Sequence, residues 1–216
     1  QNKILYAKIT EDNPDWYNVH DLFIYDVDED DELRLTENLR ANQLNVSNNG
    51  KSIVFLFQKD GTTNLGIVDF DPANGTSAKN FRALTSFKNG EQVYNPKFST
   101  DDSYVIFDYS YHQTRDIAKV NVNGGEFEFL IQTEYDERNP AFDKDGNIIY
   151  ASDETGIFNI YSLNLVKNEK KQIKNVIGGA FMPNVDAEGN ITYSGYTSTG
   201  YKIFLIENDE QKYVNT

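Results

Sequence analysis

A single sequence unit is repeated along this 216-residue chain, and the repetition constrains the fold more than any other feature. Each copy has a short strand, a polar turn and a second strand that ends in an aromatic residue. Four copies align, at residues 42–55, 94–107, 138–150 and 181–193, and a fifth begins with NKILYA (2–7), which matches GNIIYA (146–151). The closing aromatics, separated by 49, 52, 43 and 43 residues, are Tyr6, Phe55, Phe107, Tyr150 and Tyr193.

Two further patterns follow each aromatic. The first alternates apolar and polar positions, as a half-buried strand does, in DLFIYDV (21–27), NLGIVDF (64–70), DIAKVNV (116–122), NIYSLNL (159–165) and KIFLIEN (202–208). The second is weaker and lies at 33–36, 81–85, 126–130, 171–174 and 211–215. Four strands every 43 to 52 residues is the size of a propeller blade. The sequence therefore predicts an all-β fold, a β-propeller of four-stranded antiparallel blades.

The repeats predict one propeller domain over residues 1–216, with about five blades visible at 3–38, 42–86, 94–131, 138–174 and 181–216. The first blade lacks its inner strand, since only Gln1 and Asn2 precede its second strand. Either the chain is part of a larger propeller, or it is a five-bladed ring that closes imperfectly. The first interpretation is favoured, because an open sheet edge invites aggregation.

The formal net charge is −14, and most of it comes from one stretch. Residues 11–37 contain eleven acids and one base, and the run Asp28–Glu32 between two apolar strings predicts a solvated hairpin loop. Such a charge argues against binding to nucleic acid or anionic lipid, which needs cationic patches. No apolar run approaches a membrane span, so we expect no direct membrane insertion. There is no cysteine, which excludes disulfides and thiolate sites.

The fourth unit carries the motif of a known repeat, in Pro140, Phe142, Asp145, Gly146, Ile148, Tyr150, Ser152, Asp153, Gly156, Asn159, Ile160 and Tyr161. These residues resemble the blades of the TolB-type propeller family, which run Pro-x-aromatic-Ser-Pro-Asp-Gly, an apolar strand, then Ser-Asp-x-x-Gly-x-x-Asp-Ile-Tyr. The third unit keeps Pro96, Phe98 and Asp102 but lacks the turn glycine, and the second has Leu44 in place of the proline. The fifth resembles the final blades of envelope proteins in which such a propeller precedes an outer-membrane barrel of the surface-antigen class.

The resemblance covers nearly the whole chain, but it bears on the fold more than on the function. Propellers with these repeats occur in partner-binding periplasmic proteins, in fusions to barrels or peptidases, and in other exported proteins. The resemblance implies a non-catalytic module of the bacterial cell envelope, periplasmic or envelope-associated. It would scaffold or bind a protein partner, such as an envelope or outer-membrane protein. Two alternatives stay open: an accessory or gating propeller of a peptidase or other hydrolase whose catalytic domain is not in this chain, and a carbohydrate-active propeller.

Each candidate catalytic or metal-binding pattern in the sequence has a simpler explanation or lacks a required residue. The two histidines, His20 and His112, fall in different units, and GYTSTG (195–200) fails as a nucleophile elbow because Tyr196 stands where glycine is needed. DKDGN (143–147) begins like a calcium loop, yet it recurs as DAEGN (186–190) and is explained as a repeated turn. We expect no catalytic residue, cofactor or metal, although calcium at residues 26–31 stays open.

A propeller that binds a partner normally uses the loops at one mouth of its channel. Here the loops after the second strand of each blade form such a rim, at 8–20, 58–63, 110–115, 153–158 and 195–200. Large aromatic side chains anchor many protein interfaces. The candidate partner-binding residues are therefore the aromatics at or near these loops, namely Trp16, Tyr17, Tyr109, Tyr111, Tyr196 and Tyr201.

Overall fold

The fold is described from a computed structural model for residues 2–10, 18–71, 78–112 and 114–208. Within these ranges every regular element is a β-strand, and the strands form five antiparallel sheets arranged as the blades of a β-propeller. The predicted all-β propeller is confirmed. None of the described residues belongs to a helix long and apolar enough to cross a membrane.

The strands are β1 (Lys3–Thr10), β2 (Val19–Asp26), β3 (Asp31–Arg34), β4 (Ala41–Val46), β5 (Ser52–Lys59), β6 (Thr62–Asp69), β7 (Lys79–Ala83), β8 (Gln92–Phe98), β9 (Tyr104–Ser110), β10 (Arg115–Asn121), β11 (Glu128–Ile131), β12 (Glu137–Phe142), β13 (Ile148–Ser152), β14 (Asn159–Asn164), β15 (Glu169–Gln172), β16 (Ala180–Val185), β17 (Ile191–Thr197) and β18 (Gly200–Ile206). The sheets have the orders β1-β2-β3, β4-β5-β6-β7, β11-β10-β9-β8, β12-β13-β14-β15 and β16-β17-β18. We number them blades 1 to 5 in chain order.

The chain divides into two compact units. Unit 1 comprises residues 1–105 and 120–127, and unit 2 comprises residues 106–119 and 128–216. Blades 1 and 2 belong to the first unit, and blades 4 and 5 to the second.

Among the described residues, blade 1 has three strands, and the first of them corresponds to the second strand of the other blades. For this part of the chain, the prediction that blade 1 lacks its inner strand is confirmed. The acidic run lies at the β2–β3 hairpin, as predicted. Blade 5 has three described strands. The fourth strand predicted at 211–215 lies outside the described residues.

In blades 2 to 5 the turn between the first two strands follows the repeat. Gly50 and Gly146 have backbone φ angles of 71° and 79°, which glycine adopts without strain. Asp143 Oδ1 accepts the N–H groups of Asp145 and Asn147 at 2.9 and 2.8 Å, which explains the DKDGN pattern as a capped turn. The third unit lacks the glycine, and there Asp102 takes the left-handed conformation, with φ 58°.

Each described inner strand contains a backbone irregularity that the sequence did not predict. One residue per strand is left-handed, with φ between 45° and 55°: Gln43, Asn95, Asn139 and Met182. Beside the residues at 43, 139 and 182 the pairing with the next strand shifts register, as at a β-bulge. The bulge twists the inner strand and leaves main-chain groups for contacts outside the sheet. Thus the Asn139 N–H donates to Asp108 Oδ1 at 3.0 Å.

Two of the closing aromatics pack between neighbouring blades. Phe55, which is fully buried, belongs to an apolar cluster that includes Leu22 and Ile24 of blade 1. Tyr193 belongs to a second cluster with Ile149 and Ile160 of blade 4. Each buries apolar surface that a single blade would leave in water, which is the main stabilising contribution in a stack of repeats.

A buried Asp or Asn near the start of β2, β6, β10 and β14 ties each of the first four blades to the segment that leaves its last strand. These residues, at most 9% exposed, are Asp21, Asn64, Asp116 and Asn159. In blade 1 the carboxylate accepts from Thr36 Oγ1 at 3.0 Å, and in blade 2 the amide oxygen accepts from Thr85 Oγ1 at 2.9 Å. In these two blades, side-chain hydrogen bonds therefore hold the segment that follows the last strand, β3 or β7, where the ladder ends.

Candidate functional site

The predicted rim aromatics that the structure describes differ in their exposure to solvent and in the residues that they contact. Trp16 and Tyr17 lie outside the described residues. Tyr109 lies on β9, half-buried, with its ring edge-on to Phe129 at 5.4 Å between centroids. Tyr111 follows that strand, is 43% exposed, and has its ring 3.8 Å from that of His112.

Tyr196 and Tyr201 come together as one surface feature. They were predicted at the two ends of a loop, but β17 and β18 extend to Thr197 and Gly200, so both lie on strands as a cross-strand pair. Their rings meet edge to face at 5.0 Å, and they are 52% and 64% exposed. The structure thus supplies a preformed aromatic pair with most of its surface in water.

Further apolar side chains extend this pair on unit 2. The Tyr201 ring lies 6.2 Å from that of Phe181, which in turn lies 5.1 Å from that of Phe158. On β18, Ile203 is 86% exposed and Leu205 is also exposed. We call the set Phe158, Phe181, Tyr196, Tyr201, Ile203 and Leu205 the aromatic patch.

A charged group borders the aromatic patch. The Arg138 guanidinium carbon lies 4.9 Å from the centre of the Phe158 ring, within cation–π range. Arg138 Nε also donates to Asp136 Oδ1 at 2.6 Å, and this hydrogen bond raises the Arg138 pKa. The border therefore presents a fixed positive group and a carboxylate beside apolar rings, a mixture found in protein interfaces.

A shallow groove in unit 1 was not predicted from the sequence. It has a volume of about 410 Å³ and is lined in part by Leu39, Arg40, Phe57, Lys59 and Phe81. Two cations at its edge stand out in so acidic a protein. The string FQKDG could have indicated this groove from the sequence, because it places the basic residue Lys59 in the predicted 58–63 rim loop.

The histidines and the acidic loop that were candidates for catalysis or calcium binding are exposed or form local hydrogen bonds. His20 and His112 are both exposed, and Asp26 Oδ1 caps the acidic turn by accepting from the Asp28 and Glu29 N–H groups. Tyr6 donates to the Glu32 carboxylate, and this hydrogen bond raises the Tyr6 pKa to about 12. In the described part of the chain no three His, Asp or Glu side chains converge as a metal site would require.

No family model and no curated protein match the sequence. Solved structures do match the fold. TolB from Acinetobacter baumannii is 19% identical with a TM-score of 0.74, over 98% of this chain and 51% of that one. The corresponding values for a putative TolB from Agrobacterium tumefaciens are 15%, 0.76, 98% and 80%.

A puromycin-hydrolyzing peptidase from Mycobacterium tuberculosis is similar over 91% of this chain and 33% of its own, at 11% identity and a TM-score of 0.73. Identities this low establish the fold alone, which is that of a TolB-like propeller. The chain spans about half the length of the Acinetobacter protein.

Proposed function

We propose that this TolB-like propeller is a non-catalytic module of the bacterial cell envelope that binds a protein partner or serves as a scaffold for one. The observation that carries the proposal is the exposed pair Tyr196 and Tyr201 at the centre of the aromatic patch. Tyrosine buries a large rigid surface on binding at a small entropic cost, and it is enriched among residues that dominate interface energies.

The patch also has the composition of an interface beyond its tyrosines. Ile203 and Leu205 add exposed apolar area on the same strand, and Arg138 and Asp136 give a polar border. An exposed apolar surface rimmed by polar groups favours protein association. Partner binding would bury apolar side chains that are exposed to water in the isolated chain.

The test is capture and affinity measurement with a double variant, Tyr196→Ser with Tyr201→Ser. Wild-type protein is used to capture partners from an envelope extract, and the affinity of the purified partner is then compared between the two proteins. We expect the double variant to bind at least about tenfold more weakly, which corresponds to about 1.4 kcal/mol. Equal affinities would exclude the aromatic patch as the binding surface.

Val166→Ser is the matched control, because Val166 is 95% exposed on unit 2 but lies outside the patch. This variant should bind as the wild type does.

Location is tested separately, by fractionation of cells that produce the natural protein. Recovery only in the cytoplasm would exclude an envelope role.

A gating propeller of a peptidase is a second candidate, favoured by the fold likeness to the M. tuberculosis puromycin-hydrolyzing peptidase, of which the match covers a third. The sequence that adjoins this chain in its gene decides between them. An adjoining α/β-hydrolase segment would support the gate, and a barrel segment would support the scaffold.

A further inference from the structure

Glu137 occupies a position where the other blades bury an apolar side chain. It lies two residues before the left-handed residue of its inner strand, and the residues at that place in the other described inner strands are Ala41, Val93 and Ala180. All three are fully buried, and Glu137 itself is 2% exposed. A carboxyl group in an apolar position costs free energy unless it is paired or protonated, so its presence there points to a role.

A second carboxyl group, that of Asp116, lies beside it. Thr133 joins the two: its hydroxyl donates to Glu137 Oε1 at 2.5 Å, and its main-chain N–H donates to Asp116. Asp116 is 9% exposed. Glu137 Oε2 and Asp116 Oδ1 are both buried, and neither has a hydrogen-bond partner within the described residues. Two acceptor oxygens are therefore left unsatisfied on either side of one threonine.

Lys170, whose charge acts on Glu137, and Arg138, which follows Glu137 in the chain, both have other partners. Lys170 Nζ binds Glu154 Oε2 at 2.5 Å, and Arg138 binds Asp136. The remaining groups that face Glu137 add no positive charge. They are the Asp136 carboxylate before it, the Tyr150 ring on β13 and, across the β12–β13 ladder, Ser152.

We propose that Asp116 and Glu137 hold one proton between them, and that this proton fastens the connection between blades 3 and 4 (residues 132–136) to the strands that it joins. With the proton bound, the pair carries a single negative charge. When the proton leaves, two like charges remain buried next to each other, and opening of the 132–136 connection lets water reach them. The connection is thus a pH-sensitive element next to the Asp136–Arg138 border of the aromatic patch.

The electrostatics agree with the geometry. Burial is the main cause that raises the Glu137 pKa to about 7. The charges of Asp116 and Asp136 raise this pKa further, and the hydrogen bond from Thr133 opposes the increase. Burial also raises the pKa of Asp116. The switch would therefore operate near neutral pH.

The test is a ¹³C NMR titration of the side-chain carboxyl carbons in the whole chain, with hydrogen exchange of the 133–136 amides measured across the same pH range. We expect Glu137 to titrate near pH 7 and the exchange of these amides, corrected for its intrinsic pH dependence, to accelerate through the same range. Asp116→Asn should lower the midpoint of Glu137, because it removes the neighbouring charge. Glu137→Gln should abolish the extra acceleration.

Glu91→Gln is the matched control, because Glu91 is 8% exposed and precedes the inner strand of blade 3 but lies outside the pair. It should leave the 133–136 exchange unchanged. A Glu137 midpoint at its ordinary value, or exchange that does not change near neutral pH, would overturn the proposal. Millimolar calcium that stabilises the wild type but not Asp116→Asn would also overturn it, because a cation would then hold the pair.

Discussion

The main-chain oxygen of Tyr196 lies 1.9 Å from the point where a Cβ atom on Gly178 would stand. The Tyr196 N–H donates to the Gly179 carbonyl oxygen at 3.0 Å, so the 178–179 segment packs backbone to backbone against β17. Only glycine permits this approach. The pair of glycines therefore helps to position the strand that carries half of the exposed tyrosine pair.

Gly178→Ala is expected to destabilise the protein strongly, because the contact at 1.9 Å involves main-chain atoms that cannot rotate away. Overpacking of this kind costs about 1–3 kcal/mol, and we expect the upper end. Urea unfolding of both proteins measures the difference.

Gly66→Ala provides the comparison, because its Cβ would meet side-chain atoms and no main-chain atoms. These are the Phe81 ring at 2.7 Å, which is 43% exposed and can turn outward, and the buried Phe55 ring at 3.2 Å. A smaller loss is expected. A Gly178→Ala loss no larger than that of Gly66→Ala would contradict the backbone explanation.

Asp102 offers a test of the turn that lacks glycine. Its left-handed backbone costs about 1 kcal/mol for an ordinary residue, but its carboxylate accepts from the Asn48 N–H at 2.7 Å and the Asn49 N–H at 3.0 Å. Asp102→Ala should lose the hydrogen bonds and keep the strain, whereas Asp102→Gly should lose the hydrogen bonds and relieve it. The expected order of thermal stability is wild type, then glycine, then alanine. An alanine variant more stable than the glycine variant would refute it.

The sequence predicted this architecture because blade repeats show themselves as periodic strings. Strand order, the incomplete first blade and the turn glycines all follow from those strings. The bulges did not follow, because Gln43 and Met182 have no left-handed preference and only packing of the inner strands imposes their φ angles. For the candidate site, the sequence predicted aromatics near loops but not that Tyr196 and Tyr201 pair across a hairpin, since contact depends on strand register.

Thr36→Val tests the hydrogen bonds that hold the exit of blade 1. The Thr36 hydroxyl donates to Asp21 and accepts the Leu22 N–H at 2.9 Å, and all three groups are buried. Valine has the same shape but leaves the N–H unsatisfied, so we expect a loss of about 1–3 kcal/mol in the free energy of unfolding. Thr192→Val, at an exposed position of β17, should change it by less than about 0.5 kcal/mol. Equal effects from the two variants would show that the buried hydroxyl adds no stability.

The pH dependence of stability tests the charge state of Glu137. Its pKa is raised from 4.5 to about 7 in the folded protein, so the folded state binds more protons than the unfolded state between these values. Stability should therefore be highest at the acid end of this window and fall as pH rises to 7, by at most about 3 kcal/mol. Glu137→Gln should remove that fall and be more stable than the wild type at pH 8, as measured by urea unfolding across the pH range.

Glu91 supplies a control of opposite sign. Burial alone would raise its pKa, but the N–H groups of Glu91 itself and of Asn89 donate to the carboxylate and together lower it. Its ionised form therefore stabilises the fold above the unfolded pKa, and this contribution is lost as pH falls through the folded value. Glu91→Gln should consequently weaken the protein at pH 8, where Glu137→Gln strengthens it. If both substitutions weaken the protein equally at pH 8, the ionised Glu137 carboxylate stabilises the fold, as that of Glu91 does. The Glu137 pKa is then not raised, and the shared proton is excluded.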